Sequence, residues 1–407
     1  MRPPYKHRTG ARPPMRIVAI ACALGAAATL THAQTALEPE EGGLDFKLQG
    51  EFFGKLETVT PMGVQVIALG GGKFQAVFMA GGLPGQGWTG ERIEAAGALS
   101  GGTAVFSGNG YTATVNEDGS SITGKTAKQE LFTLLKTVRK SPTEGWAAPT
   151  GATVLFNGTG VDAWKEGTAT MDARKFFKPE GSSAASGAVT KQAWNDFTLH
   201  LEFREPFMPS AVGQRRGNSG VYLQGRDEVQ VLDSFGRTLD YAASDTMPAK
   251  REAGGIFELL RPSLNMAFPP LSWQTYDVSF TAAKFDAQGK TTAPAIISLR
   301  WNGETVLDKK TLIYSSLLGD VWGPTPGPLR FQAYGDPVYY RNIWITEGAA
   351  AIAPVPRKSP LRHGRAGSGT PASLSVDGRR CPPRPAFGHY LLPAPHGEIP
   401  SSRGTVL

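Results

Sequence analysis

Cysteine is almost absent from this chain of 407 residues, which holds only Cys22 and Cys381, both near its ends. A body without cysteine excludes disulfides, thiol catalysis and a cysteine-type zinc site. Histidine is nearly as scarce, because of six residues only His200 lies between the two ends. A histidine-based catalytic triad or zinc cluster is therefore excluded as well.

The middle of the chain also lacks a strong excess of one charge. The formal net charge is +7, but residues 1–33 and 346–407 each carry +5, which leaves residues 34–345 at −3. A mildly acidic body does not suit a polyanion, so no nucleic-acid partner is expected. An uncharged partner such as a sugar fits this charge better.

No run of apolar residues has the length of about 20 residues that a transmembrane helix needs. The segment that starts at Met15 has a basic head and a short apolar stretch, and it ends at Thr31-His-Ala33, a small-residue cleavage site. We therefore predict a signal peptide over residues 1–33, with Met15 as the true start. The expected location is periplasmic or extracellular, without stable membrane insertion, and the sequence leaves the oligomeric state open.

Glycine and proline are abundant, with 50 and 31 residues, which indicates many turns between short strands. The predicted order is a linker (34–43), a small all-β domain (44–140), a second linker (141–151), a β-sandwich (152–347) and a basic, disordered tail (348–407). Residues 46–56 and 130–138 are predicted to be strands, although the hydrophobic residues of 130–138 also fit one face of a helix. Ser107-Gly-Asn-Gly110 is predicted to be a hairpin turn.

In the second unit, hydrophobic residues alternate with polar ones. From Phe197 to Arg204 the pattern has a period of two, and similar runs recur along the unit. The pattern predicts an all-β fold, an antiparallel jelly-roll sandwich preceded by the small β domain. His200 lies on the polar face, where a structural role is the simpler interpretation and proton transfer the alternative.

The densest run of polar side chains is residues 218–233. Tyr222, Gln224, Arg226, Glu228 and Gln230 share one parity, so on a regular strand they would point the same way. A β-bulge after Gln230 would bring Asp233 to the same side. This spacing imitates the strand of laminarinase-like glucanases, in which two carboxylates about 5–5.5 Å apart perform retaining hydrolysis. The alternative is a solvated outer face of a sheet.

Six motifs in order resemble the 3-keto-disaccharide hydrolase family, in its secreted subtype with an N-terminal β-unit. Residues 218–224 read Asn-Ser-Gly-Val-Tyr-Leu-Gln and residues 228–234 Glu-Val-Gln-Val-Leu-Asp-Ser, and the other motifs lie at 154–164, 197–204, 269–277 with Asn302-Gly303, and 340–345. The resemblance covers all of 152–347. It implies a concanavalin A-like jelly roll and cleavage of glycosides already oxidised at C3.

The chemistry implied by the resemblance is proton abstraction at C2, elimination at C1 and addition of water. The candidate catalytic residues are Glu228 as the base and Asp233 or Glu202 as the proton donor. The candidate substrate-binding residues are Arg204, Asn218, Tyr222, Gln224, Gln230, Gln332, Tyr334 and Arg341. The three carboxylates also make a divalent metal a possible cofactor, and no other cofactor is expected.

One departure from the family pattern keeps other functions open. Many relatives have Gln-Asp-His-Gly in the late strand, whereas this chain has Gln332-Ala-Tyr-Gly335. Loss of an acid and an imidazole favours, as an alternative, a carbohydrate-binding module on the same fold. A retaining glucanase that acts on unoxidised sugars is the third hypothesis.

Overall fold

The computed structural model describes residues 35–239, 249–316 and 319–350. The predicted signal peptide and residues 351–407 of the predicted tail lie outside this range. Within the described residues, no helix has the length and apolar character needed to cross a membrane.

The N-terminal unit is a closed barrel of eight antiparallel strands, each paired with the next and the last with the first. Its strands are β1 (Gly50–Leu56), β2 (Pro61–Gly70), β3 (Lys73–Ala80), β4 (Arg92–Ser100), β5 (Thr103–Gly108), β6 (Tyr111–Val115), β7 (Ser121–Lys125) and β8 (Leu131–Thr137). The predicted hairpin turn is confirmed between β5 and β6, and the predicted strand near residue 130 is confirmed as β8.

The prediction of a strand from residue 46 is wrong at its start. Residues Pro39–Glu41 form a 3-10 turn and Gly43–Leu48 a short helix, α1, before β1 begins at Gly50. Phe46 contacts the ring of Phe207 edge-on at 5.3 Å, and Leu48 is buried. Helical spacing lets these apolar side chains pack on different partners, which a strand with a period of two would not do.

The second unit is an antiparallel β-sandwich, so the predicted fold class is confirmed. The larger sheet has the order β10-β11-β22-β13-β16-β19-β20, with β9 also paired to β22, and the smaller sheet has the order β12-β21-β14-β15. The strands are β9 (Thr153–Phe156), β10 (Ala169–Met171), β11 (Phe177–Pro179), β12 (Gly187–Trp194), β13 (Phe197–Arg204), β14 (Ser219–Leu223), β15 (Asp227–Val231), β16 (Gln274–Thr281), β17 (Lys284–Phe285), β18 (Thr291–Ala293), β19 (Ala295–Trp301), β20 (Glu304–Leu312), β21 (Gly327–Gln332) and β22 (Tyr339–Glu347). Strands β17 and β18 form a separate ribbon, and two further 3-10 turns span Gly213–Arg215 and Ala249–Arg251.

The barrel packs directly on the sandwich. Strand β2 is buried on both faces, because Val64 and Val66 point into the barrel core while Ile67 joins the core of the sandwich. Arg92 donates a hydrogen bond to the carbonyl of Gly236 at 3.0 Å, and Arg216 donates one to that of Ala68 at 3.4 Å. The barrel therefore supports the segments on either side of β14 and β15.

The predicted second linker is packed onto the outer face of β13 rather than extended through solvent. The amide of Gly145 donates to Glu202 Oε1 at 2.6 Å, and the carbonyl of Trp146 accepts from Asn342 at 2.9 Å. The ring of His200 is stacked between Trp146 and Trp344, at 6.4 and 5.1 Å. These contacts form what we call the linker clasp.

The linker clasp makes stability depend on pH through His200. Burial lowers the pKa of His200, but its one hydrogen bond with Asp277 (Nδ1 to Oδ1, 2.6 Å) and its interaction with Glu202 outweigh burial and raise that pKa above 6.5. A raised pKa contributes stability that is complete below the unfolded-state value and is lost as the pH rises through the folded-state value. We expect the difference in melting temperature between the wild type and His200→Asn to shrink from about pH 6 to about pH 9. A constant difference would contradict a charged histidine in the clasp.

Candidate active site

A row of polar side chains lies on one face of the smaller sheet. Tyr222 pairs across the strands with Glu228 and Gly220 with Gln230, while Arg330 of β21 is opposite Tyr222 on its other side. Because side chains alternate along a strand, the residues between these positions point the other way, into the sandwich core. Core residues of this kind are Val221, Val229 and Phe331. The predicted alternation thus holds within β14 and β15, where it places one polar face over one apolar core, but not through residues 224–226, which form the turn between the two strands.

Glu228 is the buried carboxylate of this face, with 2% of its surface exposed. Its Oε2 accepts a hydrogen bond from the hydroxyl of Tyr222 at 2.8 Å, and its Oε1 accepts none from any described residue. Burial raises the pKa of Glu228 to about 7, although Tyr222 and the charge of Arg330 act in the opposite direction. A carboxylate with such a pKa can take up and release a proton near neutral pH.

Tyr222 is held from two sides. The guanidinium of Arg330 lies 3.8 Å from the centroid of its ring, a cation–π contact. Gln332 Nε2 donates to its hydroxyl oxygen at 3.1 Å. Burial raises the pKa of Tyr222, and so does the neighbouring charge of Glu228, which keeps the phenol protonated as a hydrogen-bond donor.

Three amide side chains lie beside Glu228. Gln230 Nε2 donates to Gln214 Oε1 at 3.1 Å and to Asn218 Oδ1 at 3.3 Å, and Asn218 Nδ2 donates to the carbonyl of Gln214 at 2.8 Å. The backbone N–H of Asn218 donates a hydrogen bond to Asp336 Oδ2 at 2.7 Å. The buried Oε1 of Gln230 has no hydrogen-bond partner among the described residues, so this cluster retains acceptor capacity.

These groups border a cavity of about 340 Å³, within the usual size range of small-molecule sites. It is lined by Gln214, Asn218, Glu228, Arg251, Phe257, Gln332 and Tyr334. Arg251 makes an ion pair with Glu258, and Tyr334 is 40% exposed. Glu228 is the one carboxylate among the described residues of this lining. A retaining glucanase needs two carboxylates close together, so the described lining does not favour that hypothesis.

Asp233 does not join this face. Strand β15 keeps a regular register with β14 and ends at Val231, so no bulge within it turns Asp233 toward Glu228. Asp233 Oδ2 instead accepts a hydrogen bond from Arg216 Nε at 2.7 Å. Arg216 is the residue that contacts the barrel, so this ion pair belongs to the junction of the two units.

Glu202 and Arg341 belong to the linker clasp on the other sheet. Glu202 Oε2 accepts from Arg341 Nε at 2.7 Å, and its Oε1 accepts from Asn342 at 2.8 Å as well as from the linker. Burial raises the pKa of Glu202, but the His200 imidazole at 3.6 Å and hydrogen bonds from Asn342, Gly145 and Arg341 outweigh burial and lower that pKa to about 2. A carboxylate with this pKa stays ionised and is a poor proton donor.

Arg204 and Gln224 are also engaged away from the cavity. Arg204 Nη2 donates to the carbonyl of Leu37 at 2.8 Å and pairs with Glu38 at 2.9 Å, which fixes the predicted first linker on the sandwich. Gln224 lies in the turn between β14 and β15, where its amide donates to the carbonyl of Trp194 at 2.8 Å.

The structure therefore brings together Asn218, Tyr222, Glu228, Gln230, Gln332 and Tyr334 from the predicted set, and it places Glu202, Arg204, Gln224, Asp233 and Arg341 elsewhere. Sequence reasoning missed four residues, namely Gln214, Arg251, Phe257 and Arg330. The parity of Arg330 with Gln332 was a usable signal for one of them. The other three lie outside strands, where no alternation of polar and hydrophobic residues indicates the direction of a side chain.

The three carboxylates considered for a metal are not assembled. Glu228, Asp233 and Glu202 occupy three different environments, and the described part of the chain contains no group of three or more histidine, cysteine, aspartate or glutamate side chains that could hold a metal ion. The described residues supply the cavity with a carboxyl group whose pKa is near neutral pH, with side-chain amides, with a phenol and with a guanidinium group.

The described residues form an antiparallel β-sandwich that carries a polar cavity on its smaller sheet. Residues 151–346 match the model of the 3-keto-alpha-glucoside-1,2-lyase-like domain, and the chain belongs to this family. No curated protein matches the chain. The family supports a carbohydrate-active, hydrolase-like function.

Two solved structures of proposed glycosyl hydrolases from Parabacteroides distasonis ATCC 8503 are similar to the chain. The first, at 2.13 Å resolution, is 30% identical, with 49% of this chain and 85% of that chain covered and a TM-score of 0.43. The second, at 1.70 Å, is 18% identical, with 48% and 94% covered and a TM-score of 0.36.

Proposed function

We propose that the protein cleaves the glycosidic bond of 3-keto-glycosides and that Glu228 is the base that removes the C2 proton. The observation that carries the proposal is a buried carboxyl group with a pKa of about 7 and one unbonded oxygen, on a cavity lined by amides. A ketone at C3 acidifies the C2–H bond, so a carboxylate of moderate strength suffices where an unoxidised sugar would resist it.

The reaction balances in two stages. The proton on C2 passes to Glu228, the C2–H electron pair forms an enolate with C3, and collapse of the enolate expels the C1 oxygen and leaves a C1–C2 double bond. Water then adds its oxygen to C1 while C2 regains a proton, and the net result is hydrolysis.

The other lining residues have matching roles in this proposal. Arg251 brings a positive charge for the enolate oxygen, and the hydroxyl of Tyr334 is the donor for the departing oxygen. Asn218, Gln214 and Gln332 bind sugar hydroxyls. Tyr222 orients Glu228 through the 2.8 Å hydrogen bond. Tyr334 thus replaces the imidazole that the family pattern has at this position. We also propose that the protein is exported and meets its substrate outside the cytoplasm.

A pair of substrates tests the proposal. Purified protein is expected to release nitrophenol from a nitrophenyl 3-keto-glucoside and none from the unoxidised glucoside, because only the ketone acidifies C2. Release from both would indicate ordinary hydrolysis by a glucanase. Binding of the keto form without release would indicate a carbohydrate-binding module, the function favoured by Ala333 and Tyr334 in place of the family's acid and imidazole.

A further inference from the structure

Gly220 lies in the middle of β14, on the face that carries Glu228. It pairs across the strands with Gln230, so the side chain of Glu228 reaches it diagonally. Its φ is outside the left-handed region, in contrast to that of Gly217 and Gly225 on either side of the strand. The backbone at this position therefore accepts any residue, and glycine must be there for another reason.

The reason is the space above its Cα. A Cβ at this position would lie 2.1 Å from Glu228 Oε1 and 2.8 Å from both Cδ and Cγ. Real Cβ atoms do not approach other heavy atoms closer than about 3.0 Å, so the carboxylate would have to leave. The carboxyl group of Glu228 thus lies flat on β14, where only glycine leaves room.

The second contact of the carboxylate fixes its direction. Oε2 is bound to the hydroxyl of Tyr222, which is itself held by Arg330 and Gln332. Oε1 then lies over Gly220, near the start of β14, which Asn218 immediately precedes. Oε2 is therefore fixed by a hydrogen bond. Oε1 lies on the side of the cavity and accepts no hydrogen bond from any described residue.

We propose that Gly220 is a positioning residue, which keeps the free oxygen of Glu228 at the cavity by leaving the space that this carboxylate occupies. The effect on turnover rests on the proposed function, whereas the effect on the carboxylate itself does not.

The test is Gly220→Ala, with Gly323→Ala as the matched control. Gly323 also has an ordinary backbone conformation, but a Cβ there meets nothing closer than 3.7 Å. Gly220→Ala is expected to lower kcat on a 3-keto-glucoside about 100-fold, since a displacement of about 1 Å can cost this much, with KM changed less than about threefold. Gly323→Ala is expected to match the wild type. Equal kcat for Gly220→Ala and the wild type would overturn the proposal.

A double variant separates positioning from general damage to the sheet. Aspartate is one methylene shorter, so Glu228→Asp makes room for an alanine at position 220. The loss of kcat in Gly220→Ala/Glu228→Asp is expected to be smaller than the product of the two single losses, and the double variant is expected to fold as Glu228→Asp does. Multiplicative losses would contradict the contact between the two positions.

A readout without substrate keeps the two proposals apart. Titration of the Glu228 carboxyl carbon by NMR is expected to show its pKa fall from about 7 toward the ordinary range of about 4.3 in Gly220→Ala, because a displaced carboxylate is less buried. If the wild type fails to cleave the keto-glucoside but this shift occurs, the proposed function fails and the positioning role stands. An unchanged titration would refute the positioning role whatever the activity.

Discussion

Replacing Glu228 with glutamine is expected to lower kcat on a 3-keto-glucoside by about 10²–10⁴-fold, with little change in KM. Glutamine keeps the size of the side chain and its hydrogen bond to Tyr222, but it cannot accept the C2 proton. For the wild type, kcat/KM should rise with pH through about 7 and then level off, because the base must be ionised and its pKa is about 7. Steady-state kinetics across pH measure both effects.

The neighbouring residue provides a close control. Asp227 lies on the same strand with its side chain on the opposite face, and burial raises its pKa to about 7 too, against the hydrogen bond from Trp322. If the base must border the cavity, Asp227→Asn is expected to keep the kcat of the wild type, because Asp227 does not line the cavity. Loss of turnover in Asp227→Asn together with normal turnover in Glu228→Gln would reverse the assignment.

The same substitution at Glu228 should stabilise the fold above neutral pH. A folded-state pKa raised from 4.5 to about 7 means that ionisation of the buried group costs about 3 kcal/mol at alkaline pH. Glu228→Gln removes this cost, so its melting temperature is expected to exceed that of the wild type at about pH 8 and to match it near pH 4. A buried carboxyl group that destabilises the fold when it ionises is more typical of a functional site than of a group kept for packing.

Replacing Glu202 with alanine is expected to lower the free energy of unfolding by about 3–5 kcal/mol. Removal of this buried carboxylate leaves Arg341 with only its ion pair to Glu144 and deprives the backbone N–H of Gly145 of its acceptor. Urea unfolding at about pH 7 measures the loss.

The control for this prediction is Glu166→Ala. Glu166 is exposed and makes no hydrogen bond or ion pair with any described residue, so its removal should change stability by less than about 0.5 kcal/mol. The folded fraction of Glu202→Ala is expected to keep the turnover of the wild type. A stable but inactive Glu202→Ala would instead support the proton-donor role predicted from the sequence.

Much of the polar face followed from the sequence, because a period of two fixes which side chains share a face. Tyr222, Glu228, Gln230 and Gln332 lie together as that rule requires. The same rule gives Asp233 the opposite parity, and only the predicted bulge would have turned it to the polar face. That bulge prediction was wrong, because β15 ends at Val231 and Asp233 accepts a hydrogen bond from Arg216. A local pattern carries no information on a long-range ion pair of this kind.

The same rule cannot tell what covers a polar face. The polar sides of β13 and β22 look like candidate site surfaces in sequence, yet the segments that precede the barrel and the sandwich lie on them. Glu38 pairs with Arg204, and Glu144 pairs with Arg341 at 2.9 Å. These segments are polar and lack periodicity, so their docking is visible only in three dimensions.

The most direct test of whether Glu228 removes the C2 proton is to run the reaction in D₂O and to measure by NMR how much deuterium enters C2 of the product. The wild type is expected to release 3-keto-glucose with deuterium at C2 faster than the enzyme-free exchange, and Glu228→Gln is expected to form this product about 10²–10⁴-fold more slowly than the wild type. Product released at the full wild-type rate with its original hydrogen at C2 would contradict elimination from this carboxylate.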